Sequence, residues 1–353
     1  MAVQSEGAVG AGAPIRVLSI DGGGIRGILP ARFLQHIEEL TGKKVGVLFD
    51  LIAGTSTGGI LGCGFFKRIA AKDLGDLYAK RGGEIFAHSL WRSVKTVGGI
   101  EGARYDVTTL ETILAQILGD ASLSDDPDKA ELLVPTYVIE LPRPVDVDGV
   151  PTTRTPMLFK SWKARGLGLE RDETAAMFDF SLKDVARATS AAPTYFVPAQ
   201  YRNRAGELYG SVDGGLFANN PAMCALVAAY KRYGKEHRYI LVSLGTGSLE
   251  RPIPYRDAKG WGELHWLHPV LSILMDGNAD TISYQVDQVL GKDHFRFEIS
   301  TGLDPNDPAT VNEDFDCADP DNIERLERLA QRLIANNAAS IERLVTVLNN
   351  AAP

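Results

Sequence analysis

The pentapeptide Gly54-Thr55-Ser56-Thr57-Gly58 constrains this chain more than any other feature, because it joins an apolar run (Leu51, Ile52, Ala53) directly to a helix-like one (Gly59 to Phe66). A strand that turns straight into a helix across Gly-x-Ser-x-Gly needs a tight, strained backbone, which Gly54 and Gly58 permit. Such a turn lifts the serine hydroxyl above the sheet edge, at the positive end of the following helix. It describes a nucleophile elbow with Ser56 at its tip. Small-residue turns containing serine also occur without chemistry, so the neighbouring segments have to decide.

Upstream, Val17-Leu18-Ser19-Ile20 reads as a short buried strand. Asp21-Gly22-Gly23-Gly24-Ile25-Arg26-Gly27 follows, then a helix from about Ile28 to Leu40. Three successive glycines between strand and helix leave backbone N–H groups uncovered and able to face an anion. In acyl transfer that anion is the tetrahedral oxyanion, and Arg26 would add positive charge nearby. The same loop fits a dinucleotide fingerprint, Gly22-x-Gly24-x-x-Gly27. Against that reading, Asp50 precedes its apolar run instead of ending it, and Asp21 would set a negative charge beside a pyrophosphate. A purely structural glycine turn is the third reading.

Downstream, Asp213-Gly214-Gly215 follows the strand-like Leu208 to Val212 and precedes Asn219-Asn220-Pro221 and a helix from about Ala222. An Asp-Gly pair commonly forms an Asx turn. Its functional reading is a general base for Ser56. The histidines are His36, His88, His237, His265, His268 and His294. None stands at a strand end beside a turn, where the third member of a Ser…Asp…His triad belongs, and His294 comes nearest. A two-residue machine is the better reading.

Taken together, the glycine loop, Gly54 to Gly59 and Asp213-Gly214-Gly215 resemble the signatures of the patatin-like phospholipases, as do Ala188-Thr189-Ser190-Ala191-Ala192-Pro193-Thr194-Tyr195-Phe196 and Ser243-Leu244-Gly245-Thr246-Gly247. They run in the family's order. The resemblance implies a three-layer α/β fold with a mainly parallel central sheet flanked by helices. It implies a Ser56–Asp213 dyad, an oxyanion hole at Gly22, Gly23, Gly24 and Arg26, and supporting glycines at Gly54, Gly58, Gly214 and Gly215. It also implies acyl-ester hydrolysis of membrane phospholipids with no metal and no cofactor. A carboxylate of pKa near ~4 is a weak base for a hydroxyl. The dyad would therefore depend on desolvation of Asp213, on the oxyanion hole and on the helix after Ser56.

The chain also resembles compact bacterial members that act as antiphage effectors, in which a cyclic dinucleotide switches the phospholipase on. The stretch Met157 to Arg165 carries that likeness. Trp162 is its candidate for purine stacking, with Lys160 and Arg165 for phosphates. A strand followed by a solvated basic turn is the plainer reading. A constitutive lipase or lysophospholipase, and a non-catalytic nucleotide-binding module built on the glycine loop, are the alternatives.

Net charge is −8 over 353 residues, which argues against a nucleic-acid polymer as partner and against purely electrostatic docking on anionic lipid. Cys63, Cys224 and Cys317 lack metal-type spacing and read as buried thiols in a reducing compartment. Residues 1–14, rich in Gly and Ala, read as a disordered lead-in without the features of a secretory signal. The expected setting is cytoplasmic, at the inner face of the membrane.

Strand-like and helix-like stretches alternate, which predicts α/β architecture. Strands are expected near 16–20, 48–53, 133–139, 156–160, 208–212, 239–244 and 293–298. Helices are expected near 28–41, 57–68, 72–80, 108–118, 181–189, 221–233, 263–290 and 321–348. A catalytic domain over 15–303 is expected, and its segment 82–105 reads either as a lid or membrane-contact loop or as an ordinary surface excursion. An acidic connection with Pro305, Pro308 and Pro320 would span 304–320 as an exposed segment. The last helix, in 321–353, would pack on that domain or on a second subunit, with a homo-oligomer forming on activation.

Overall fold

The structure is a computed structural model, which describes residues 12–86, 103–125, 130–147, 150–171, 173–248, 252–302, 310–312 and 314–350. Most of the segment 82–105, read as a lid or as a surface excursion, and residues 1–11 of the lead-in, lie outside the described residues.

The described residues form ten strands: β1 (Ile15–Ile20), β2 (Leu51–Gly54), β3 (Glu131–Glu140), β4 (Val145–Val147), β5 (Val150–Thr152), β6 (Thr155–Lys160), β7 (Ala199–Arg202), β8 (Leu208–Asp213), β9 (Tyr239–Leu244) and β10 (His294–Phe297). Among the described residues, helices of eight residues or more are α1 (Ile28–Thr41), α2 (Thr57–Phe66), α3 (Ala71–Ile85), α4 (Val107–Leu118), α5 (Leu182–Thr189), α6 (Ala222–Tyr233), α7 (Glu263–Leu290), α8 (Pro320–Asn336) and α9 (Ala338–Asn350).

The main sheet runs β10-β9-β1-β2-β3-β8-β7, parallel from β10 to β3 and antiparallel thereafter, while β4 and β5 form a separate hairpin. Alternate side chains on its parallel strands enter opposite cores, as a two-residue period requires. Leu18, Ile20, Ile52, Val242 and Leu244 join a core under α1 to α5, α8 and α9. Val17, Leu51, Ala53 and Leu241 join one with residues of α6 and α7. This is the three-layer architecture expected.

The pairing of β3 decides where the site lies. Its Glu131 to Leu133 pair with parallel β2, and its Thr136 to Glu140 pair with antiparallel β8. The opposite edge of β3 is taken by β6, across Leu133 to Val138. Hence β2 and β8 share one edge of β3 and meet there head-on, each by its C-terminal end. Ser56 follows the end of β2 and Asp213 is the last residue of β8.

Several expectations need correction. The expected strand at 48–53 starts only at Leu51, because Val45–Leu48 forms a helical turn. The four-residue edge strand β7 has no counterpart in the sequence reading. The single terminal helix breaks at Asn337, whose backbone leaves the helix (φ −112°, ψ 15°) and whose Nδ2 donates to the Leu333 carbonyl at 2.8 Å. The connection before α8 is not wholly exposed, since Val311 and Asp316 are buried. Cys63 is buried, but Cys224 and Cys317 are only half-buried. Among the described residues no helix is long and apolar enough to cross a membrane.

Candidate active site

Ser56 adopts φ 54° and ψ −119°, a conformation that a side chain rarely tolerates. It is the N-cap of α2, so its hydroxyl stands at the positive end of that helix. The elbow closes because its glycines have no side chain. A Cβ on Gly54 would lie 2.0 Å from the Gly58 carbonyl oxygen, and one on Gly58 would lie 2.2 Å from that of Ile20. Hydroxyls hold the turn from outside: the Ser56 N–H donates to Thr189 Oγ1 at 2.9 Å, which donates to the Pro135 carbonyl at 2.6 Å. Thr55 Oγ1 donates to the Ala218 carbonyl at 2.6 Å.

Across the head-on strand ends, Ser56 Oγ donates to Asp213 Oδ2 at 2.7 Å. The other carboxylate oxygen accepts the Gly215 N–H at 2.7 Å, while the Gly214 N–H donates to the Thr189 carbonyl at 3.3 Å. Asp213 is fully buried, and among the described residues no cation touches it. Burial pushes its carboxyl up to about 7, against the smaller downward pull of the Gly215 and Ser56 hydrogen bonds. A buried carboxylate of this kind is a far better base for an alcohol than an exposed one.

The glycine loop divides into unequal parts. Gly22 gives its N–H to the Asn219 carbonyl at 3.0 Å, so that donor is already committed. The N–H groups of Gly23 and Gly24 meet no acceptor among the described residues, and both glycines border the same cavity as Ser56. Gly24 has φ 57°, and a Cβ there would lie 2.1 Å from the Phe315 carbonyl oxygen. Arg26 is buried, with its guanidinium on the Gly247 carbonyl at 3.2 Å and over the Phe315 ring at 4.5 Å. It braces the loop and does not border the cavity. Gly22 and Arg26 therefore depart from the expected donor set, because other groups of the fold already engage them.

Behind the loop sits an ionic scaffold that the sequence reading missed. Arg296 on β10 donates to Asp21 at 2.7 Å and to Glu298 at 2.5 Å, and Glu298 accepts the Gly247 N–H at 2.8 Å. Thr246 Oγ1 donates to the Gly22 carbonyl at 2.8 Å. Thr189 and Thr246 lay within the motifs already singled out, but Arg296 and Glu298 carry no local signal.

The cavity over Ser56 is walled by aliphatic and aromatic groups, among them Ile60, Leu77, Leu110, Ile113, Leu114 and Phe196. Among the described residues no histidine borders it. His294 is buried on β10 with Nδ1 2.5 Å from Asp287, so it is not placed as a third member. Asp50 is engaged by Arg16 at 2.8 Å, at the start of β2, away from the glycine loop. The dinucleotide reading thus lacks its acidic ribose partner.

The stretch singled out for nucleotide recognition is folded inward. Trp162 is only 7% exposed and sits in the core, which leaves no face for stacking. Arg165 pairs with Glu131 at 2.5 Å, and the Lys160 ammonium lies 5.9 Å from the Trp162 ring centre. These residues form a braced corner instead of a ligand platform.

A family profile described as patatin-like phospholipase matches residues 18–226, more than half of the chain. The chain belongs to the patatin-like phospholipase family. It is 28% identical to patatin-like protein 1 of Arabidopsis thaliana, over 92% of this chain and 82% of that protein. It is 33% identical to a cGAMP-activated phospholipase of Vibrio cholerae, over 62% of this chain and 58% of that one. VipD from Legionella pneumophila is a solved structure with a TM-score of 0.35 at 12% identity, covering 91% of this chain and 67% of that one. As a patatin-like phospholipase the protein is a lipid acyl hydrolase of the serine-esterase type.

Proposed function

We propose that this patatin-like phospholipase cleaves fatty-acyl esters of membrane phospholipids through a Ser56–Asp213 dyad. The observation that carries the reading is the 2.7 Å hydrogen bond from Ser56 Oγ to a buried carboxylate that no cation among the described residues touches. Ser56 Oγ attacks the ester carbonyl as Asp213 takes its proton, and the N–H groups of Gly23 and Gly24 receive the oxyanion. Collapse breaks the ester C–O bond, and the leaving alcohol takes the proton from Asp213. Water, deprotonated by Asp213, then attacks the acyl-serine; the fatty acid departs and the proton returns to Ser56. The apolar wall beside Ser56 suits an acyl chain.

A cyclic dinucleotide as activator is the second part of the proposal, supported by the similarity to the cGAMP-activated phospholipase of Vibrio cholerae. With Trp162 buried, the ligand's contacts would come from residues other than those first singled out. The test is fatty-acid release from phospholipid vesicles with and without cyclic dinucleotides. Ser56→Ala and Asp213→Asn are each expected to lower the rate by at least ~1000-fold. Undiminished release in either variant refutes the dyad, and equal release with and without nucleotide refutes the switch.

A further inference from the structure

Helix α7 (Glu263–Leu290) contributes to the wall of the cavity over Ser56. Among its described side chains from Glu263 to Gln285, none is buried. It is nevertheless anchored to the aspartate loop, because the Asn220 N–H donates to Asn278 Oδ1 at 3.2 Å and Asn278 Nδ2 donates to the Phe217 carbonyl at 2.9 Å. Leu271 and Met275, one helical turn apart, line the acyl cavity. On the adjoining face Val270, Ile273 and Leu274 are 42%, 46% and 49% exposed. From Leu264 to Met275 the chain carries no Asp, Glu, Lys or Arg.

We infer that the outward face of α7 around Val270, Ile273 and Leu274 docks on the surface of a lipid bilayer, seating the acyl cavity against its substrate. This rests on the hydrolase reading above. Three aliphatic side chains at i, i+3 and i+4 form one continuous patch, and the same turns carry the cavity wall. A lipid leaving the bilayer at this patch meets Leu271 and Met275 with no intervening charged side chain from this stretch. A chain of net charge −8 has no overall attraction to anionic lipid, so apolar insertion is the force left to hold it there. A second copy seated on the patch would cover ground beside the cavity that the substrate needs.

The test compares the parent with Ile273→Glu/Leu274→Glu, neither residue lining the cavity, with cGAMP present throughout. Hydrolysis of a dispersed short-chain ester, p-nitrophenyl butyrate, is measured beside fatty-acid release from phosphatidylcholine vesicles. Flotation with the same vesicles is read on both sequences carrying Ser56→Ala. The expected result is an unchanged rate on the dispersed ester, with vesicle release and flotation falling about tenfold or more. Undiminished flotation, or no flotation of the parent, overturns the inference. So does an equal loss on both esters, which would make the face part of the pocket's support. So does loss of a self-associated species with flotation intact, which would make it a contact between copies. If the parent cleaves neither ester, the hydrolase reading fails while flotation still decides the docking.

Discussion

At Ser56 and Asp213 the protein holds two unfavourable states together: a serine at φ 54° and a carboxylate buried with no cation on it among the described residues. In the proposed dyad the first would aim the nucleophile, and burial raises the carboxyl that would serve as its base to about 7. Because the base must be ionised, kcat/KM on a non-ionising ester is expected to rise with pH through a limb near 7 and level off above it, read from a pH–rate profile. Stability should move in the opposite sense. The native carboxyl keeps its proton up to about 7, whereas the unfolded one releases it near the ordinary 3.8. Folding is therefore progressively disfavoured as pH rises between those values, and the penalty persists above them. Asp213→Asn should accordingly melt at a higher temperature than the parent at pH 8, by calorimetry, with the difference fading below about pH 4.

Among the elements, the segment leading into α8 contributes most that its composition conceals. The Phe315 carbonyl accepts the Ile25 N–H at 2.9 Å, and its ring lies under Arg26 and borders the cavity. Asp316 pins it, accepting from Tyr105 at 2.5 Å and from Arg104 at 2.6 Å with a side chain only 6% exposed. Asp316→Ala removes a buried acceptor shared by Tyr105 and Arg104, and is expected to destabilise by roughly 2–4 kcal/mol in urea unfolding. Losing the strap's hold on the glycine loop should also lower kcat on dispersed ester several-fold with little change in KM. Acidic residues and prolines around it read as an exposed connection. Its burial comes from Arg104 and Tyr105, more than two hundred residues earlier, which no local pattern announces.

Over the whole molecule, α8 and α9 close the layer under α1, burying Leu326, Leu329, Leu333, Ile341, Leu344 and Leu348. Arg32 on α1 reaches Glu327 on α8 at 2.7 Å, fixing the pair in register. Since Leu329 is 1% exposed and does not border the cavity, Leu329→Ala should lower stability by about 2–5 kcal/mol in chemical denaturation while leaving kcat unchanged below the transition. The layers were legible because hydrophobic alternation along β1, β2 and β9, and the helical period of the terminal leucines, depend on near neighbours alone. So was the elbow, where Gly54 and Gly58 record a close backbone approach within five residues. The meeting of Ser56 with Asp213 across 157 residues was decided by β2 and β8 sharing one edge of β3. Tertiary structure alone committed the Gly22 N–H to Asn219, turned Arg26 onto Gly247 and buried Trp162. A sequence records what a residue can do with its neighbours along the chain; which of its groups remain free is settled only when distant segments have taken their hydrogen bonds and their space.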